Sequence, residues 1–169
     1  KAKKDKKNKH ISRFLSTKLK DQKFNALISR IRKHKFGLII TPFDEKSVDK
    51  IKNVVDYIKI ASCSSNDWPL LEKIAKANKP IICSLGSRNY DDIDNLYSFF
   101  KKRLEDISFL HCVGIYPTPD KNMHLQTIGK LIKRYHGINI GYSGHEKPFD
   151  VSPSILALSL GARIFERHV

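Results

Sequence analysis

The chain is poor in thiols: three cysteines in 169 residues, at positions 63, 83 and 112. An odd count with no CxxC pair excludes a disulfide framework and a thiolate zinc site. Small buried thiols in or just after apolar segments are the expectation. Long apolar runs are missing as well. No segment approaches the ~18 to 20 residues needed to span a bilayer, so no membrane partner is expected. The N-terminus is basic but lacks the apolar core of a signal peptide, and a cytoplasmic location is the expectation. Acidic residues are scarce only at the front. Residues 1–36 hold 14 Lys/Arg against two acidic residues, a net of +12, whereas residues 37–169 hold 18 against 15, a net of +3. The formal charge of +15 therefore belongs to one end, and the body is ordinary.

That end opens KAKKDKKNKH, a Lys-rich tract over residues 1–10 with nothing apolar beyond Ala2. It reads as a solvated, disordered arm, with weak attraction to nucleic acid or another anionic surface as the functional counterpart. No RRM, KH or zinc-finger pattern accompanies it and no aromatics interleave the lysines, so nucleic acid is not an expected partner. Residues 11–169 are long enough for one domain with a core and too short for two comfortable ones.

From Phe24 the pattern becomes periodic. Phe24, Leu27, Ile28 and Ile31 share a helical face that should end near Gly37, where the apolar run Leu38 to Ile40 begins. The same alternation then recurs. A helix with Val48, Ile51, Val54 and Val55 leads to YIKIAS, one with Leu71, Ile74 and Ala75 to PIICSL, and one with Ile93, Leu96, Phe99 and Phe100 to ISFLHCV. Leu125, Ile128, Leu131, Ile132 and Tyr135 precede GINIGYS, and a helix holding Ile155, Leu156 and Leu160 precedes ARIFERHV. Six strands at intervals of roughly 20 to 31 residues, with helices between, predict an α/β fold of parallel strands and right-handed crossovers. Apolar runs flanked by Gly, Pro and Asp suit strands covered on both faces. Length leaves two architectures open, an open sheet or part of an eight-unit barrel, which typically needs about 200 to 250 residues.

In such folds the loops after the strands converge on one face, where the chemistry lies. The residues ending the six strands form a polar set: Thr41; Lys59 and Ser62; Ser84 and Gly86; His111 and Tyr116; Ser143 and His145; Glu166 and His168. Hydroxyls, backbone N–H groups and one inward ammonium suit an anionic, phosphorylated ligand. Lys59 is the sharpest signal, because a lysine in a buried strand is costly unless paired; otherwise its ammonium reaches solvent or a nearby carboxylate. His145 and His168 end adjacent strands, which points to a shared metal, against two imidazoles each hydrogen-bonded locally. With few thiols and several oxygen donors nearby, Mn²⁺ or Mg²⁺ with bound waters fits better than structural zinc. His111, inside a strand, reads as structural, and His10, His34, His124 and His136 as exposed.

The strings ITPFDEKSVD, YIKIAS followed by WPLLEKIAK, KPIICSLGS, LHCVGIYPTP, GYSGHE and LGARIFERH, in this order and at these spacings, resemble the sialic acid synthase (N-acetylneuraminate synthase) family over residues 37–169. GYSGHE with ERH is similar to the animal-type members. The resemblance implies a (β/α)8 TIM-type barrel, here incomplete with six strands. It also implies condensation of phosphoenolpyruvate with an N-acetylated hexosamine aldehyde to give a nonulosonic acid and phosphate. His145 and His168 match the family's metal-binding histidines, with Mn²⁺ or Mg²⁺ as Lewis acid and template. Thr41, Lys59, Ser62, Ser84 and Ser143 match phosphoenolpyruvate-binding positions, Tyr116 a sugar-contacting one, and Glu166 an acid beside the metal; Lys59 and Glu166 are the catalytic candidates.

Several positions depart from the family pattern. Ser64 stands where a glutamate is usual, Val113 and Gly114 where Thr-Asn is common, and Leu85 replaces the threonine of Ser-Thr-Gly. The family's first two strands and its small antifreeze-like C-terminal domain are not in these residues, so the isolated chain is expected to be inactive; a homodimer is the pairing the resemblance implies. The alternative is a catalytically degenerate barrel that binds a sugar phosphate or a protein partner.

Overall fold

The computed structural model describes residues 12, 15–147 and 149–168; the Lys-rich tract of residues 1–10, with His10, lies outside them. The chain divides into two compact units, Lys1–Leu38 and Ile39–Val169. In the first, helix α1 (Asp21–Lys33) begins with an acid and ends with Arg30, Arg32 and Lys33, the order that its dipole favours. Its predicted apolar stripe is present in sequence, but no residue of the helix is buried and Leu27 is largely exposed.

The second unit holds the alternation. Strand β1 (Ile39–Ile40) leads to α2 (Glu45–Ile51), β2 (Tyr57–Ile60), a 3-10 turn at Ser62–Ser64, α3 (Trp68–Lys76) and β3 (Ile81–Ser84). Then follow α4 (Tyr90–Lys101), β4 (Ile107–Cys112), a 3-10 turn at Asp120–Asn122, α5 (Thr127–Arg134), β5 (Asn139–Gly144), α6 (Ser152–Ser159) and β6 (Phe165–Arg167). All neighbouring pairs are parallel, in the order β1-β2-β3-β4-β5-β6. A doubly wound sheet reverses its strand order at a switch point; this one never does, which is the winding of a (β/α) barrel. The six strands form an incomplete barrel.

Helix starts are set by short polar side chains. Asp44 accepts from Ser47 N at 2.7 Å ahead of α2, and Asp67 accepts from Leu70 N at 3.3 Å ahead of α3. Ahead of α4, Asn89 accepts from Asp92 N at 2.8 Å while the Asp92 carboxylate accepts from Asn89 N, a reciprocal box that satisfies two otherwise orphaned donors. Asn89→Ala is expected to cost about 1 kcal/mol, read as a lowered urea midpoint with an unchanged slope.

The core lies between sheet and helices. Every residue of β3 and β4 is buried, as expected for strands covered on both faces. Val48, Ile51, Leu71, Ile74, Leu96, Phe100, Ile128 and Leu131 close over them from the helices. The last helix differs: Pro153 and Ala157 are its buried positions, while Ile155, Leu156 and Leu158 are exposed. Cys83 and Cys112 are buried as expected, but Cys63 is exposed, because it falls in the turn after β2, where Ser64 takes the inward position.

Candidate active site

Parallel winding puts the C-terminal ends of all six strands on one face. Thr41 directly follows β1, half-buried, and makes no side-chain hydrogen bond among the described residues. Lys59 lies within β2 and is 6% exposed. Its ammonium donates to Ser84 Oγ at 2.8 Å and to the Ile60 carbonyl at 3.3 Å, and stands 3.4 Å from Glu166 Oε2. Ser143 donates to the other oxygen of that carboxylate at 2.7 Å. The result is a continuous relay from Ser84 through Lys59 and Glu166 to Ser143.

This relay reports the curvature of the sheet. Strands β2 and β6 are separated by three others, and at about 4.8 Å per step they would stand roughly 19 Å apart in a flat sheet. Lys59 and Glu166 nevertheless touch, so both point to the concave side of a curled sheet. Both groups therefore line the barrel interior.

Ser62 opens the 3-10 turn after β2 rather than ending the strand, and its Oγ accepts from Gly86 N at 3.0 Å. A Cβ at Gly86 would come within 2.7 Å of that oxygen, so only glycine lets the β3 loop close on Ser62. Ser64 is buried and offers only a hydroxyl. At Gly114 a Cβ would come within 2.7 Å of Ser87 Oγ, so the missing side chain there is matched by a close neighbour.

Beyond the relay three rings cluster. His145 and His168 have ring centroids 5.2 Å apart, and Tyr116 packs edge-on against both, at 5.5 and 5.1 Å. His145 Nδ1 lies 2.9 Å from the Val113 carbonyl. A carbonyl can only accept, so Nδ1 carries the hydrogen and the Nε2 lone pair is left for another partner. Two imidazoles at this separation fit a divalent ion whose shell is completed by water or ligand oxygens. No group of three His, Cys, Asp or Glu side chains among the described residues converges to hold an ion without such oxygens.

The sequence did not single out Glu146. Its carboxylate is buried, accepts from Tyr142 Oη at 3.0 Å and pairs with Arg167 Nε at 3.1 Å, tying the segments that carry His145 and His168. It follows His145 directly in GYSGHE, and nothing in that string distinguishes a buried acid from a solvated one. Desolvation, with the Glu146 carboxylate second, pushes the Tyr142 phenol well up, so it stays a donor. Burial pushes the Cys83 thiol up to about 12, which makes it inert. Burial also lowers the pKa of His111, whose Nε2 lies 2.8 Å from the Met123 carbonyl, the structural role read from its position in the strand. His34, His124 and His136 are exposed, as expected.

The whole chain, residues 1–169, matches the NeuB family. It is 39% identical over 127 residues to the N-acetylneuraminate-9-phosphate synthase of Drosophila melanogaster, covering 74% of this chain and 34% of that protein. Among solved structures it is similar to the N-acetylneuraminic acid synthetase of Leptospira borgpetersenii, determined in complex with citrate, with 31% identity and a TM-score of 0.87 over 96% of this chain and 57% of that one. A protein of Chromobacterium violaceum assigned to spore coat polysaccharide biosynthesis superposes with a TM-score of 0.90 at 44% identity, covering 94% of this chain and 48% of that one. The chain thus spans between about a third and somewhat over half of the length of these relatives. No helix among the described residues is long and apolar enough to cross a membrane.

Proposed function

Because the chain belongs to the NeuB family, we propose that it forms the strand-end face on which phosphoenolpyruvate condenses with an N-acetylated hexosamine aldehyde to give a nonulosonic acid and phosphate. The observation that supports this most is the Lys59 ammonium, withdrawn from water and set between Ser84 and Glu166. A desolvated cation flanked by hydroxyls is suited to a substrate that carries both a carboxylate and a phosphate.

In this reading Lys59 holds the anionic end of phosphoenolpyruvate, with Ser84, Ser143, Ser62 and Thr41 donating around it. Tyr116 packs against the acceptor sugar beside the two imidazoles. The new C–C bond joins C3 of phosphoenolpyruvate to the aldehyde carbon, a water oxygen adds at C2, and the C2–O bond to phosphate breaks. Glu166 orients Lys59 and Ser143 and, with its side chain 45% exposed, is placed to take the proton that the attacking water loses. His145 and His168 would hold the divalent ion, Mn²⁺ or Mg²⁺, which supplies Lewis-acid polarisation of the aldehyde when bound. The Val113 carbonyl fixes the His145 tautomer that this requires.

The test is a pair of titrations on the 169-residue chain. Mn²⁺ at about 100 times its dissociation constant is expected to raise the melting temperature by roughly 5 to 10 °C. His145→Ala with His168→Ala should abolish that shift. Phosphoenolpyruvate should bind the wild-type chain in calorimetry; no heat at millimolar concentration would sink the synthase reading, and an unshifted melt in Mn²⁺ would sink the metal assignment.

A second reading is supported by Ser64, buried where an acid is usual, and by Gly114, packed against Ser87. In it the barrel is catalytically degenerate and binds a sugar phosphate or a protein partner.

A further inference from the structure

Arg88 lies in the loop between β3 and α4 and plays no part in the relay. It is only partly exposed, its Nε is shielded from solvent, and that nitrogen has no acceptor within hydrogen-bonding reach. No carboxylate pairs with its guanidinium among the described residues. A charge-bearing N–H shielded from water without an acceptor is costly, and a bound anion would satisfy it.

The surroundings suit that anion. Arg88 lines a cavity of about 460 Å³ whose walls also include Lys130 and Thr127 of α5, Asn89 and His124. No Asp or Glu is among the lining residues, and Lys130 makes no ion pair among the described residues. The first turn of α4 carries Asp91 and Asp92, so the helix dipole is already engaged and the two side-chain cations carry the charge. His111, also in the wall, has its Nε2 occupied by the Met123 carbonyl and stays neutral.

We propose that this cavity is a second, phosphoryl-binding site, with Arg88 and Lys130 holding a phosphate dianion and Thr127 and Asn89 donating to its remaining oxygens. The backbone ties it to the ring cluster: the Val113 carbonyl holds His145, and the adjacent Gly114 abuts Ser87, another cavity residue. If the condensation reading holds, on which this link rests, the phosphate is either borne on the acceptor sugar or is the free phosphate that the reaction releases. The chemistry of the site is the same for both.

The test is inorganic phosphate titrated into the full chain, followed by calorimetry and by the Arg88 Nε–H resonance. Millimolar phosphate should move that resonance, and Arg88→Met should weaken phosphate binding at least about tenfold. In phosphate-free buffer Arg88→Met should melt at the same or a higher temperature, because an uncompensated charge has been replaced by an apolar chain of similar length. Lys130→Gln, on an exposed helix face, should fold normally and bind phosphate more weakly. An Arg88 resonance indifferent to phosphate, or Arg88→Met binding phosphate like wild type, would overturn the proposal even if phosphate occupies the Lys59 site.

A parallel titration with N-acetylmannosamine 6-phosphate assigns the source. Tighter Arg88-dependent binding than inorganic phosphate identifies a sugar-borne phosphate, and equal or weaker binding identifies free phosphate. The His145→Ala, His168→Ala chain should keep the Arg88 response while losing that to Mn²⁺, so the two assignments can fail separately.

Discussion

Lys59→Met should leave the chain folded and weaken phosphoenolpyruvate binding by more than about 100-fold, the equivalent of roughly 3 kcal/mol lost when one partner of a desolvated charged contact is removed. The stability change should be small by comparison. Of the two groups that Lys59 contacts by side chain, Ser84 is a neutral hydroxyl, and Glu166 has a side chain 45% exposed that can turn to water. An apolar side chain of similar length fills the space of the lysine stem without the cost of desolvating an ammonium. Calorimetry on the variant and wild type decides the matter: a dissociation constant within about threefold of wild type would remove Lys59 from the anion site. Lys59→Arg is the informative companion, since it keeps the charge but brings a planar fork into a space shaped for a point charge, and partial loss is expected.

Phe109→Ala should have the largest effect on stability, about 3 to 5 kcal/mol. Phe109 is fully buried in β4, paired between Cys83 of β3 and Ile140 of β5, with its ring 6.1 Å edge-on from Tyr135. Neighbouring strands fixed in register on both sides cannot collapse into the space, so most of the cavity penalty should persist. Against a total stability of about 5 to 15 kcal/mol for an ordinary domain, this approaches unfolding. Urea denaturation followed by far-ultraviolet circular dichroism measures it, and a loss under about 1 kcal/mol would mean that β4 is not the rigid centre of the sheet.

The strands were legible because they are covered on both faces, and the polar residues within ISFLHC, Ser108 and His111, are themselves buried. Lys59 was legible for the same cause: a charge inside such a run must have a partner. Which partner it has was not legible. Glu166 is remote in sequence and three strands intervene, so only the curvature of the sheet brings it to the ammonium. Glu146 and Arg88 were hidden for the opposite reason. Both lie in loop-like, polar strings, where a sequence gives no sign that one carboxylate will be buried beneath Tyr142 or that one guanidinium will face a cavity. The stripe of α1 shows the limit of periodicity, which states that a face is apolar without stating what covers it.

The Lys59–Glu166 contact also has a kinetic meaning. It joins β2 to β6 across everything wound between them, so it cannot form until β3, β4 and β5 have taken their places. Local helix and strand contacts can assemble early, but this chord closes only when the arc is complete, and its loop-closure entropy is met last. The proposed anion site would then be absent from every partly wound form of the chain. A half-folded barrel would carry Lys59 as an ordinary hydrated lysine and would not bind its ligand before the fold is finished.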